Sequence, residues 1–232
     1  MSETETSPNP NTELLDRSID IREKFWKRYG KLDTGVMTSL SNPLLQGGPK
    51  WPALRQAFLK VDRAHSVLLA SDGLSDPFLG EPDKGQGLGI EFFMESRDKD
   101  LLGRSWESLK ATWMFQALYM VAQNAAYAGN FRELLDENGV VSIELKNVKA
   151  PERFLSEEGL VGVLIGVEPK NISGELKLPL GKVRMASVVM LTREELEYAV
   201  KEGPAGRKKL NKLFRKKGTH HFSSSAREKV VK

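Results

Sequence analysis

Two aspartates four residues apart, Asp72 and Asp76, lie in the string Ser71–Phe78, SDGLSDPF, where chemistry-bearing side chains are densest. Carboxylates so spaced can serve acid–base work or hold a divalent cation. The same string is also a run of turn residues, in which Asp and Ser satisfy backbone amides, Gly73 takes positive φ and Pro77 fixes one turn. No His, Cys or Lys stands near enough in sequence to complete a catalytic set. Asp72 and Asp76 are therefore expected to be structural or contact residues.

Gly85, Gly87 and Gly89 follow, and a glycine-rich stretch raises the question of a phosphate cradle. Such cradles follow a strand and open a helix, whereas these glycines lead into the apolar run Ile90–Met94. They predict a strand entry. Glu91 and Glu95 alternate with Ile90, Phe92 and Met94, so the two carboxylates share a face, and a solvated face is expected for them. Histidine is confined to His65, His220 and His221, the last two in a segment expected to be mobile. That scarcity speaks against a histidine metal site and against a Ser-His triad, and the sequence has neither a nucleophile-elbow motif nor a Walker loop. The absence of cysteine excludes disulfides, thiolate metal sites and cysteine nucleophiles. No catalytic residue, metal site or cofactor is assigned.

Charge is distributed unevenly. Residues 201–232 hold eleven Lys and Arg against two Glu, which leaves the other 200 residues at about −5 in a chain of net +4. Arg207, Lys208, Lys209, Lys212, Arg215, Lys216 and Lys217 surround an apolar stripe of Leu210, Leu213 and Phe214. The preferred reading is a terminal helix docked by that stripe with a solvated basic face. The alternative is weak binding to nucleic acid or another polyanion through the seven cations.

These residues have to be positioned by regular elements. Leu14, Leu15, Ile19, Phe25, Trp26 and Tyr29 recur at helical spacing, which predicts a helix over Glu13–Tyr29, capped by Thr12 and ended by Gly30. Three prolines and a Gly-Gly pair in residues 41–53 demand sharp turns. A second helix is predicted over Pro52–Ala64, then strands over His65–Ala70 and Leu88–Glu95. The surest helix is Ser105–Ala128, with Gly129 as its C-cap. Strands are predicted over Val140–Leu145, Leu160–Val167 and Val183–Leu191, joined by pieces too short for crossover helices, so their pairing is mainly antiparallel. Thr192 and Glu195 have capping-box spacing for a helix over Arg193–Lys201, and Pro204 restarts a helix to Lys217.

The expected fold is α+β: one domain over residues 13–203 with a mixed, mainly antiparallel sheet packed by helices. A disordered arm precedes it (1–12) and a basic helix with a flexible tail follows it (204–232). No apolar stretch suits a membrane span and the N-terminus lacks a secretory pattern, so a soluble, cytoplasmic protein is expected.

The run from Asn42 to Glu95 resembles the suppressor of fused domain family. NPLLQGGPKW precedes SDGLSDPF and then GLGIEFFMES, which is similar to that family's glycine-bearing strand, and a Trp-containing helix starts at Ser105 and Trp106. Leu164–Glu168 and Met190–Leu196 resemble its later strands and next helix. Gly73, Leu74, Ser75, Asp76, Gly87, Gly89 and Glu91 are the most specific matches. The resemblance implies a domain without enzymatic activity that works by binding another protein. In animals such domains restrain a transcription factor; the bacterial stand-alone forms often serve as immunity proteins against a secreted toxin. The chain is expected to lack the large C-terminal lobe of the animal proteins, so the transcription-factor role is not carried across, and its size fits the bacterial stand-alone form, for which a toxin-neutralising role is one expectation. The expected partner surface is the loop Ser71–Gly89, with Asp72, Gly73, Leu74, Ser75, Asp76, Phe78 and Glu91 as contact residues.

Overall fold

The computed structural model describes residues 10–33, 35, 37–38 and 48–231. Helix α1 (Pro10–Lys27) places Ser18, Arg22, Phe25 and Trp26 on one buried stripe. It starts before the predicted cap, so Thr12 lies within its first turn, and the rest of the expected arm, residues 1–9, lies outside the described residues.

A ten-stranded sheet carries the rest. Its strands are β1 (Lys31–Leu32), β2 (Met37–Thr38), β3 (Ala57–Arg63), β4 (Ser66–Ser71), β5 (Ile90–Ser96), β6 (Val141–Leu145), β7 (Val161–Ile165), β8 (Glu175–Leu178), β9 (Gly181–Met190) and β10 (Phe222–Ser223). The main order is β1-β3-β4-β5-β9-β7-β6, with β2 on β3, β8 on β9 and β10 on β5. Among the described strands, only β5–β9 and β10–β5 are parallel. The molecule is therefore a single α+β domain with a mixed, mainly antiparallel sheet, as the sequence predicts.

Both faces of the sheet are covered, and this decides several local outcomes. On one face α2 (Trp106–Lys110), α3 (Trp113–Ala128) and α4 (Phe131–Asn138) enclose a core with Phe58, Leu69, Phe92, Met94 and Val163. On the other, Phe25 and Trp26 of α1 meet Leu59, Val61, Leu68, Ala70 and Phe93. A third core joins α5 (Arg193–Lys216) to β7 and β9 through Leu164, Val189, Leu196, Leu210 and Phe214.

The helix predicted over Pro52–Ala64 is instead β3, hairpinned to β4 with Arg63 opposite Ser66. Because Leu59 and Val61 face one core and Phe58 the other, its strand period of two is hidden in the sequence. The long predicted helix is divided: Thr112 caps α3, its side chain accepting from the Phe115 amide, and α2 ends just before it. α4 was not predicted. The capping box at Thr192 is present, and the predicted break appears as a kink at Gly203 inside α5.

The expectation of a flexible tail is corrected. After α5 the chain turns back, and β10 lies parallel to β5 at Glu95 and Ser96 while the Ser223 hydroxyl accepts from the Met190 amide of β9. The terminal segment thus fills the space where β5 and β9 diverge. His221, also expected to be mobile, is fully buried, and Arg227 and Val230 are buried too. No helix among the described residues is long and apolar enough to cross a membrane.

Candidate functional site

The stripe of α1 that faces the sheet contains one charged residue, Arg22, and its burial dictates what surrounds it. An uncompensated guanidinium in that position would be prohibitive. Arg22 donates to Asp72 through Nε, to Asp76 through one terminal nitrogen and to the Ser75 hydroxyl at 3.1 Å through the other. Arg55 approaches the same carboxylates from the opposite side, at 2.8 Å to Asp72 and at 2.9 and 3.2 Å to Asp76. Each aspartate is thus held between two guanidiniums.

Glu91 lies beneath this layer on β5. Its Oε1 accepts from the Gly73 amide at 3.0 Å, the Ser75 amide at 2.9 Å and the Ser75 hydroxyl at 2.7 Å, while Oε2 accepts from the Ser71 hydroxyl. Burial pushes Glu91 above the usual carboxylate range, with Asp72 adding to the push and Arg22 opposing it. For Asp72 burial acts in the same upward direction, but Arg22 and Arg55 outweigh it and hold the group below its ordinary value. Both guanidiniums are held firmly charged, since the attraction of Asp72 and Asp76 exceeds their own cost of burial.

The loop is packed to match. A Cβ on Gly73 would collide with the Arg55 carbonyl oxygen and the Trp51 ring, and Gly87, at φ 51°, passes against the Asp76 and Leu74 carbonyls. Gln86 ties the loop to its neighbours, donating to the Ser75 carbonyl and to the Ser18 hydroxyl of α1 and accepting from the Leu180 amide at 2.9 Å. Four separate parts of the chain are therefore fastened together around residues 71–88.

The seven expected contact residues are accordingly brought together, but inside the molecule. Asp72, Gly73, Leu74, Ser75, Asp76 and Glu91 are buried and Phe78 is half-buried. The expectation that Glu91 and Glu95 share a solvated face is overturned, because α1 and the terminal segment cover that face of β5. Glu95 accepts from Arg63 at 2.9 Å, from the Ser66 hydroxyl and from His221 Nε2 at 2.8 Å. His221 Nδ1 accepts from the Lys170 amide, so the ring proton sits on Nε2 and points at Glu95. Burial alone would raise Glu95, but His221, Ser66 and Arg63 prevail and lower it.

Asp72, Asp76 and Glu91 have their oxygens occupied by fixed donors and are buried, and Glu95, which borders a cleft, has its oxygens taken by Arg63, Ser66 and His221. Such an arrangement locks a loop; it does not shuttle protons. The described residues contain no group of His, Asp and Glu arranged to hold a metal ion.

What the buried base supports is an exposed rim. Leu54, at φ 55°, is a non-glycine residue in the left-handed region, and it is 37% exposed. Leu79 is 48% exposed, and its amide bonds the Pro52 carbonyl, so the two loops lie against each other. Arg22, Arg55, Leu54 and Leu79 were all missed from the sequence. The one available signal was a charged Arg22 on the apolar stripe of α1. Of the seven basic positions, Lys208, Lys209, Lys212, Arg215, Lys216 and Lys217 are exposed and Arg207 is half-buried.

The comparisons accord with this geometry. The model of the suppressor of fused protein family matches residues 58–228. No curated protein matches the sequence. Among solved structures, the fold is similar to a chain in the crystal structure of the Sufu-Fu complex, with TM-score 0.53 and 17% identity over 93% of this chain and 91% of that one. It is also similar to Drosophila suppressor of fused, with TM-score 0.55 and 16% identity, where 93% of this chain covers 51% of the other. The chain thus spans about half the length of the Drosophila protein. At such identities the structural likeness speaks for the fold alone, but the family match covers well over half of the sequence, and the chain belongs to the suppressor of fused family.

Proposed function

We propose that this protein is a non-catalytic binding module that meets another protein on the rim formed by Leu54, Phe78 and Leu79. The carrying observation is Leu54. A bulky residue in the left-handed region costs roughly 1–2 kcal/mol, and this one spends that strain placing an apolar side chain in solvent. A strained residue that holds an apolar side chain in solvent points to a functional surface. The ion-pair base beneath it keeps the rim in one conformation, which lowers the ordering cost of association.

Suppressor of fused domains are non-enzymatic binding domains, and one structural neighbour is a complex of Sufu with Fu. The finer reading is that the partner is a toxin, neutralised in the cytoplasm by this chain as an immunity protein; it rests on the resemblance to bacterial stand-alone domains.

Leu54→Asn tests the rim, because Asn tolerates the left-handed region and removes the apolar contact. Stability is expected to rise by about 1 kcal/mol while affinity for the protein captured by the parent chain falls at least tenfold. Unchanged affinity would remove the rim from the interface. A hydrolytic or transfer activity of the purified parent chain would overturn the binding-module reading, and failure to relieve the partner's toxicity on co-expression would remove the immunity role.

A further inference from the structure

The end of α5 and two distant segments assemble a basic surface that the protein-binding rim does not use. Lys208, Lys212 and Lys216 stand in one row at successive steps of four residues, about 6 Å apart along the axis, and all three are exposed. The return of the chain after α5 brings His220 against the last turns of that helix, its amide donating to the Phe214 carbonyl at 3.0 Å. The Lys170 amide bonds His221, which fastens the loop carrying Lys170 to the same place. Arg97, at the end of β5, lies over the Phe222 ring at 3.6 Å. Arg97 and Lys170 line a cleft of about 470 Å³ there.

The cleft's carboxylates are already neutralised, Glu95 by Arg63 and Asp62 by Lys60. Arg215 is paired with Glu168. Among the described residues no ion pair is formed by Lys170, Arg97 or the three lysines of the row. His220 is held below its ordinary range by burial, then by Lys170, His221, Arg215 and Arg97, which is the expected signature of cations gathered from three segments.

The kind of partner follows from what this surface lacks. The exposed large apolar residues among those described are Leu54, Leu79, Leu102, Tyr127 and Val200, and none lies beyond the kink of α5 or beside the cleft. Protein interfaces have an apolar centre, whereas nucleic-acid interfaces are more polar and much more positive. A 6 Å step also approaches two nucleotide steps of about 3.4 Å along one strand. We propose that the row Lys208, Lys212, Lys216 together with Lys170 and Arg97 binds the phosphate backbone of a nucleic acid, without reading its sequence.

The test is fluorescence anisotropy of the full chain with labelled DNA and RNA duplexes over a salt series. Each phosphate neutralised contributes about 0.9 to the slope of log K against log salt. Replacing the three lysines of the row by Gln should lower the slope by roughly 2.7, and Lys170→Gln with Arg97→Gln by roughly 1.8. Polyglutamate at equal charge should leave the duplex bound. The relative affinities for DNA and RNA identify which of the two backbones is preferred. Absence of duplex binding by the parent, an unchanged slope in either variant at parental helicity, or displacement by polyglutamate would overturn the proposal; the last would point to an acidic protein instead. If the triple variant fails to fold, the Lys170 and Arg97 variant still decides.

Discussion

Asp76→Asn measures how the loop at residues 71–76 is held. In the turn chemistry legible from sequence, the carboxylate makes a charge-assisted bond to a backbone amide, and its loss would cost roughly 1 kcal/mol. The structure sets a larger figure. Asp76 is fully buried and accepts from Arg22 and twice from Arg55. Asparagine retains the shape but turns one acceptor oxygen into an amino group aimed at a guanidinium, and it leaves the buried Arg22 and the half-buried Arg55 with Asp72 as the one carboxylate bonded to both. Removing one partner of a buried pair costs about 3–5 kcal/mol, a large part of the roughly 5–15 kcal/mol that holds a domain folded.

Urea unfolding followed by tryptophan fluorescence reads this directly, since Trp26 and Trp51 are both fully buried. With a slope of about 2 kcal/mol per molar, the midpoint should fall by roughly 1.5–2.5 M at unchanged slope. A second arm adds Arg55→Gln: with one cation gone, the double variant should be less destabilised than the sum of the single changes by at least about 1 kcal/mol. A midpoint shift of only about 0.5 M for Asp76→Asn, or strict additivity, would show that water compensates these charges and that the network does not lock the loop.

Three further outcomes are expected. Asp72 and Glu95 have folded-state values below their ordinary ones, so their stabilisation is present above about pH 4 and is lost as pH falls through the lower folded values. Glu91 is raised and acts with the opposite sign, so in chemical unfolding across the acid range Glu95→Gln should flatten the acid limb and Glu91→Gln should steepen it. Trp113→Ala, which removes a ring from the α3 core, should cost about 3–5 kcal/mol in the same assay; a parental melt would mean that the ring is not core-facing. Removal of residues 217–232 leaves Glu95 without His221 and Glu195 without Arg227, so the shortened chain should lose its cooperative thermal transition; a dispensable tail would leave the melt unchanged.

The elements that were legible in the sequence are those with one face buried or a distinctive end. The stripe of α1, the Gly129 cap of α3 and the Thr192–Glu195 box of α5 each follow from residues within a few positions of one another. β3 and the environment of β5 were hidden for a single reason. When a sheet is covered on both sides, a strand's alternation vanishes, and a carboxylate such as Glu91 or Glu95 on the second face looks identical in sequence to one in water. The buried aspartates present the same difficulty over a longer range. Asp72 and Arg22 are fifty positions apart, and local turn chemistry offers a sufficient but different account of the same aspartate. His221 was assigned to a mobile tail because its partners, Glu95 and the Lys170 amide, come from two other segments.

Leu54 and the ion-pair base belong to one device, because Arg55 follows Leu54 directly in the chain. The left-handed turn at Leu54 allows its side chain to face solvent while Arg55 turns inward between Asp72 and Asp76. The local conformation opposes this by roughly 1–2 kcal/mol. Loss of one partner from the buried base opposes its reversal by about 3–5 kcal/mol, so the base prevails and the strained residue stays in place. On the proposed rim, this ordering of magnitudes lets the buried carboxylates bear on binding without touching a partner, because they set the conformation of Leu54. It also separates two kinds of loss. Changes at Asp72 or Asp76 should weaken stability and binding together, whereas a change at Leu54 alone should weaken binding while the fold gains stability.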